Sequence, residues 1–228
     1  ILAVFDKTIL DFNLNHLQSS NKTFVDKNLE ENLKKFTDFK NYEKFFKLKN
    51  IIIDQELRKD FIRKEIVKAE KKRKFKVNLN EKLLNEVTNL VEKPKILVCE
   101  FDRRFLNIPK EILVTTMQTH QKYFSTIDNK ANLTNNFVVV ADIDDPKGLV
   151  KIGNERVIDA RLSDAEFFWD RNKSQNLVKQ ISKLKNINYF KGLGSYFDKI
   201  QRMRKLSGII SDEFLISKEK IEIASSIC

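Results

Sequence analysis

Two apolar runs lying close together constrain the fold of this chain more than any other feature. "KILVCEF" (residues 95–101) and "FVVVADI" (residues 137–143) are short, rich in β-branched side chains and bounded by turn-forming residues. Such runs read as strands buried on both faces. Between them, Pro109 in "IPKEILVTTMQTHQKYFSTID" stands where a helix should start, because proline fits the first turn. A short helix and then a strand over residues 121–127 are expected, followed by a turn at "NKANLTN". Strand, helix, strand, turn and strand in that order predict an α+β domain.

The flanking sequence extends this reading. Residues 1–14 alternate as two short strands with a turn at Asp6-Lys7, and the polar stretch 19–40 reads as loop. Leu57, Phe61, Ile62, Ile66 and Ala69 recur at helical spacing, which predicts a long helix over 54–74 with a solvated basic face. A second helix over 80–91 turns Leu83, Leu84, Val87, Leu90 and Val91 inward and is stopped by Pro94. No strand pattern remains from Lys151 onward. Residues 153–172 read as a helix with Ile158, Leu162, Ala165 and Trp169 on one face, capped by Asn154 with Glu155 in the positive first turn. Another helix is expected over 174–184, and Gly192 and Gly194 read as a turn between helices. The expected organisation is an α+β domain over 1–150 with an inserted basic helix, then a helical region over 151–228.

The net charge of +11 points to nucleic acid or an acidic surface. Lysine outnumbers arginine 33 to 10, so compositional bias supplies part of that excess. The charge is nevertheless concentrated: residues 58–76 hold ten basic and three acidic side chains. Two cysteines are too few for a disulfide framework, and Cys99 inside an apolar run reads as a buried thiol suited to a reducing cytosol. No run approaches the roughly 18 apolar residues of a membrane span. The chain starts without Met or a basic leader and stops within a helical pattern at "EIASSIC", so a fragment is expected.

A search for catalytic chemistry finds little. "KGLGS" lacks the spacing and preceding strand of a phosphate loop. Asp159, Asp164, Glu166 and Asp170 diverge around one helix among Arg156, Arg161 and Arg171, which favours ion pairing over acid–base work. His120 has no serine or cysteine positioned to pair with it, and reads as a hydrogen-bonded structural residue. Met117 and Met203 read as core filler. Two distant histidines and two cysteines offer no metal spacing.

Three strings carry a specific resemblance. "TTMQTHQKYFSTIDNKANLTNNFVVVADI", "GNERVIDARLSDAEFFWDRN" and "KGLGSYFDKIQRMRKL", in that order, resemble the β subunit of bacterial heterotetrameric glycyl-tRNA synthetase. "LNEVTNLVEKPKILVCEFDRRFLNIPKEIL" and the opening "ILAVFDKTILDFN" fit the same family, so the resemblance covers nearly the whole chain as a middle section of a longer subunit. One departure stands out: where the family often has a Gly-His-Arg-Phe string, Thr23-Phe24-Val25-Asp26 follow here.

The resemblance implies a mixed-sheet domain similar to the editing-type domain of the phenylalanyl-tRNA synthetase β chain, leading into an HD-like helical region. It implies a cytoplasmic α2β2 heterotetramer with an α subunit that carries the class II catalytic site, ATP and Mg, and tRNA for glycine as substrate. No cofactor is expected in this chain. The leading reading is a tRNA-binding, assembly-supporting section of a ligase; the rivals are an editing domain and a structural scaffold. Candidate tRNA contacts are Lys71, Lys72, Arg73 and Lys74 on the basic helix, Arg156, Arg161 and Arg171, and Lys122, Lys191 and Arg202. Tyr123 and Phe190 stand beside cations and are candidates to stack on unpaired bases. The 153–172 helix is expected to join the two regions, with Trp169 sealing the joint.

Overall fold

The computed structural model describes residues 1–24, 33–215 and 217–227. They form two compact units, Ile1–Ser163 and Asp164–Cys228. Val25, Asp26 and Cys228 lie outside the described residues.

The first unit opens with three antiparallel strand pairs: β1 (Val4–Phe5) with β2 (Thr8–Ile9), β3 (Asn13–Leu14) with β4 (Leu17–Gln18), and β5 (Lys22–Phe24) with β6 (Leu33–Lys35). The expected turn at Asp6-Lys7 is present, with φ of 43° and 68°. Positive φ at both central positions lets a two-residue turn follow the strand twist. Residues 19–40 are not the expected loop, because β5, β6 and the start of α1 (Phe39–Leu48) lie there. Five of the six β5 and β6 residues are exposed, so no in–out alternation marks these strands. Asp38 caps α1 by accepting from the Asn41 N–H, and Phe36, Tyr42, Phe45 and Phe46 pack together as aromatic rings.

The basic helix, α2 (Gln55–Arg73), starts at Asp54 and ends at Lys74 in a left-handed conformation, close to the expected bounds. Only Ile62 and Ile66 of its apolar residues are fully buried; Leu57 and Phe61 are exposed. After β7 (Lys76–Val77), α3 (Glu81–Leu90) is capped by Asn80 and ends before Pro94. Leu83, Leu84, Val87 and Val91 are buried, whereas Leu90 is exposed. Next come β8 (Lys95–Glu100), α4 (Lys110–Thr115, with a π-helical turn to His120), β9 (Phe124–Ile127) and β10 (Leu133–Ala141).

These strands form one antiparallel sheet in the order β7-β9-β10-β8, with six residues of β8 paired along β10. Both faces are covered. Phe137, Val139 and Cys99 join a core with Leu113, Met117, Ile158 and Leu162; Val138 and Phe124 join another with Ile62, Ile66, Leu84 and Val87. Successive side chains of a strand point to opposite faces, so two cores require an unbroken apolar run, as "FVVVADI" supplies.

The next helix, α5 (Leu149–Ser174), starts earlier than expected. Asn154 is not its cap. Asp145 accepts from the Val150 and Lys151 N–H groups at 3.1 and 2.9 Å, and Asn154 sits a turn inside, donating to the Val150 carbonyl. Glu155 is spent on the sheet, accepting from the Glu100 N–H at 2.8 Å. Ile158 and Leu162 belong to the first unit's core, which is why that unit runs to Ser163 instead of ending at residue 150. Ala165 is half-buried and Trp169 is exposed, so of the expected apolar face only Ile158 and Leu162 are fully buried.

The second unit continues with α6 (Leu177–Gln180), a 3₁₀ turn (Ile181–Asn186), β11 (Asn188–Phe190), β12 (Gly194–Ser195), α7 (Tyr196–Phe214) and α8 (Lys218–Ile227). The expectation of helices alone beyond Lys151 therefore fails. Gly192 and Gly194, at φ of 83° and 76°, belong to a β-hairpin. The expected helix over 174–184 is split into α6 and the 3₁₀ turn.

Candidate nucleic-acid interface

The cations of α2 divide into two sets. Arg58 donates to the carbonyls of Thr88, Ile52 and Ile53, so it holds the fold. Lys59 and Arg63 meet Glu81, and Lys68 meets Glu65. By contrast, Lys71, Lys72, Lys74 and Lys76 are exposed and have no carboxylate partner among the described residues. Arg73 is exposed too, at 3.9 Å from Glu100. The sheet register places Lys76 opposite Ile127, so this cluster lies at the same sheet end as the β9–β10 turn with Lys130. Cations in the last turn also complement the negative end of the helix dipole, a structural reason for part of the cluster. It does not account for Lys76, which is outside the helix.

The other candidates fare differently. Tyr123 is buried, at 5% exposure; its hydroxyl donates to Asn154 Oδ1 and its ring stacks on Phe137 at 5.0 Å. It cannot stack on a base. Lys122 is half-buried and pairs with Glu86 at 2.7 Å. Arg156, Arg161 and Arg171 are exposed, and no carboxylate lies within ion-pair distance of them among the described residues. The expected ion-pair lattice on α5 is therefore not formed; Lys151–Glu155 is the pair found on that helix. Arg202 donates to the Leu193 carbonyl at 2.9 Å and braces the hairpin. Lys191 and Phe190 are exposed at the hairpin tip.

The sequence reading picks out Lys191 and Arg202 singly but not the basic concentration around them. Residues 179–205 hold eight basic side chains and one acidic one, Asp198. Asp198 is engaged in the Ser195 capping box, and the resulting backbone hydrogen bond lowers its pKa. A windowed charge count would have found this segment.

No reactive set assembles among the described residues. A cleft of about 710 Å³ is lined by Tyr42, Phe46, Ile52 and Val91 together with polar side chains such as Lys49 and Glu92, and its Arg58 is committed to carbonyls. Burial, followed by the charge of Glu155, pushes the Cys99 thiol up to about 12, so it carries no thiolate at neutral pH. Hydrogen bonds from Lys93 and Lys95 hold the Asp144 carboxyl near 2, as expected for a surface ion pair. His120 is exposed, and its imidazole has no hydrogen-bond partner among the described residues, contrary to expectation. Among the described residues no group of three or more His, Cys, Asp and Glu comes together as a metal site, and no helix is long and apolar enough to cross a membrane.

Fold and surface together define the class: a basic α+β section leading into helices, with exposed cations suited to a polyanion. Along residues 1–228 the sequence matches the glycyl-tRNA synthetase beta subunit family, and the chain belongs to that family. It is 36% identical over its whole length to the glycine–tRNA ligase beta subunit of Thermodesulfovibrio yellowstonii, covering 34% of that protein. It is 35% identical to the same subunit of Clostridioides difficile over 97% of this chain and 32% of the relative. For Thermotoga petrophila the identity is 34%, over all of this chain and 34% of the relative. The chain thus spans about a third of the length of these relatives.

Proposed function

We propose that this chain is a section of a glycine–tRNA ligase β subunit that binds tRNA and supports assembly with the α subunit. The observation that carries the proposal is the cluster of exposed lysines at the end of α2, without carboxylate partners among the described residues, in a chain of this family. ATP, magnesium and glycine activation belong to the α subunit of a cytoplasmic α2β2 enzyme. A finer reading of the fold accompanies it, that of an editing-type domain, although its four-stranded sheet is antiparallel throughout and not the mixed sheet expected. Deacylation is not part of the proposal, because the cleft's one arginine, Arg58, is already bonded to backbone carbonyls.

The test is tRNA binding across a salt series, with the Lys71→Gln, Lys72→Gln, Arg73→Gln, Lys74→Gln variant beside the parent. Each lost phosphate contact should flatten the log–log salt slope by about 0.7–0.9. Unchanged affinity and slope would leave the cluster as a solvated helix end and favour the scaffold reading. Aminoacylation by full-length β with α, parent against variant, reads the same contact in the working enzyme.

A further inference from the structure

We propose that the β11–β12 hairpin and the start of α7 form a separate binding site for unpaired RNA nucleotides. The proposal rests on the tRNA-binding reading above but uses different residues and a different ligand state. In the hairpin register Phe190 lies opposite Gly194. Glycine offers no cross-strand side chain to cover the ring, and Phe190 is left 67% exposed. Cross-strand pairs normally supply such cover, so a bare aromatic at this position is a surface without an internal partner among the described residues.

The hairpin is braced for its task. Arg202 holds the Leu193 carbonyl, and the Ser195–Asp198 capping box fixes the start of α7. On the other side of the strand, Tyr189 and Tyr196 meet edge to face at 5.2 Å, with the Lys199 ammonium 4.8 Å from the Tyr189 ring centre. Lys185 lies 4.8 Å from the Phe197 ring centre. Both lysines are thus held beside aromatic faces, while Lys191 stands exposed next to Phe190.

A bare ring next to Lys191, on a hairpin whose neighbouring segment carries further lysines and one occupied carboxylate, selects a ligand that is flat, apolar on its faces and negatively charged along its length. Single-stranded nucleic acid has that description: bases stack on aromatic rings while lysines follow the phosphates. A duplex does not, because its bases are already stacked on one another. An acidic protein surface would match the charge but leave Phe190 without a planar partner.

The experiment uses the 228-residue chain and a labelled oligoadenylate of about ten nucleotides, within the span that such surfaces cover. A ten-base-pair RNA duplex of comparable length, about one helical turn, serves as control. Phe190→Ala should weaken oligoadenylate binding about 5- to 150-fold, the range for loss of one base–aromatic stack. The salt slope and duplex affinity should not change. Phe190→Tyr should restore binding. Lys183→Gln, Lys185→Gln and Lys191→Gln together should flatten the slope by about 0.7 per lost single-strand contact.

Equal binding by parent and Phe190→Ala overturns the site. So does an equal loss for the duplex, or a change of oligomeric state in place of a change in RNA binding. The α2 variant separates the two proposals. If it weakens tRNA binding while Phe190→Ala leaves oligoadenylate untouched, the hairpin site falls and the broader reading stands. The reverse pattern removes the α2 footprint and keeps the hairpin.

Discussion

Tyr123→Phe separates a core role from an RNA role at one atom. The hydroxyl of Tyr123 donates to Asn154 Oδ1 at 2.5 Å, and Asn154 Nδ2 in turn holds the Val150 carbonyl at 2.7 Å. Removing the hydroxyl deletes one hydrogen bond, a net contribution of about 1 kcal/mol, and leaves Asn154 Oδ1 short of a donor at a further cost of about 1–3 kcal/mol if fully buried. Asn154 is only half-buried, so water offsets part of the second term and the expected loss is about 1–2 kcal/mol.

Urea unfolding should show that loss as a lower midpoint at unchanged slope. A second signature lies in the pH dependence. Burial, with the nearby Cys99, pushes the Tyr123 phenol from 10 up to about 12. Between those values the native state keeps a proton that the unfolded chain releases. The contribution is fully present below about pH 10 and is lost as pH rises through about 12, amounting to roughly 2–3 kcal/mol. Tyr123→Phe should flatten this alkaline limb, and RNA affinity of the folded protein should stay at the parent value. A variant of parental stability with weakened RNA binding would refute this reasoning and return Tyr123 to the interface.

Further outcomes follow from single sites. In a Cys228→Ser background Cys99 should resist thiol reagents in the native state up to about pH 9 and react on unfolding, as a thiol held protonated by burial must; native-state labelling at neutral pH would contradict its placement. Gly194→Ala should lower the thermal midpoint, because the added Cβ would clash with Asp198 Oδ2 and φ there is 76°. Gly153→Ala, with nothing within 4 Å of the new Cβ in the middle of α5, should instead raise stability by about 0.5–1 kcal/mol. The purified chain without its α partner should show no glycine-dependent pyrophosphate exchange, and exchange by α-free protein would place adenylate chemistry in this section.

What the sequence makes legible depends on how much of each element is buried. The strands β8 and β10 could be read directly because both of their faces are covered, which demands unbroken apolar runs. The strands β5, β6, β11 and β12 are two or three residues long and mostly exposed, so no selection for alternation marks them. The cap of α5 shows a different limit. Asp145 and Asn154 are both good capping residues, and only the path of the chain through Gly148, at φ 69°, decides that Asp145 meets the free N–H groups. Tyr123 and Phe190 are both aromatics beside a lysine. The first precedes a strand in a two-faced sheet, where neighbouring residues are buried alternately in separate cores; the second lies in a hairpin with a glycine opposite. Sequence distance to a cation carries neither fact.

The distribution of charge bears on whether the lysine excess is compositional drift. Drift alone would add lysines wherever the surface tolerates them, with carboxylates mixed among them. Along α2, Lys59, Arg63 and Lys68 pair with Glu81 and Glu65, whereas Lys71, Lys72, Lys74 and Lys76 crowd the last turn and β7 without a carboxylate partner among the described residues. In the second unit residues 179–205 carry eight basic side chains and one carboxylate, which is used to cap α7; of the eight, Arg204 pairs with Glu222 on α8. Such concentrations cost self-repulsion in the free protein, which a bound polyanion would relieve. The two differ in what surrounds the charge: a smooth helix end in one case, a bare aromatic ring in the other. A phosphate backbone of any form can be met by the first, whereas the second gains from stacking only when bases are unpaired. A tRNA offers both, in its duplex arms and in its loops and terminal single strand, so the two surfaces need not compete for the same part of one ligand.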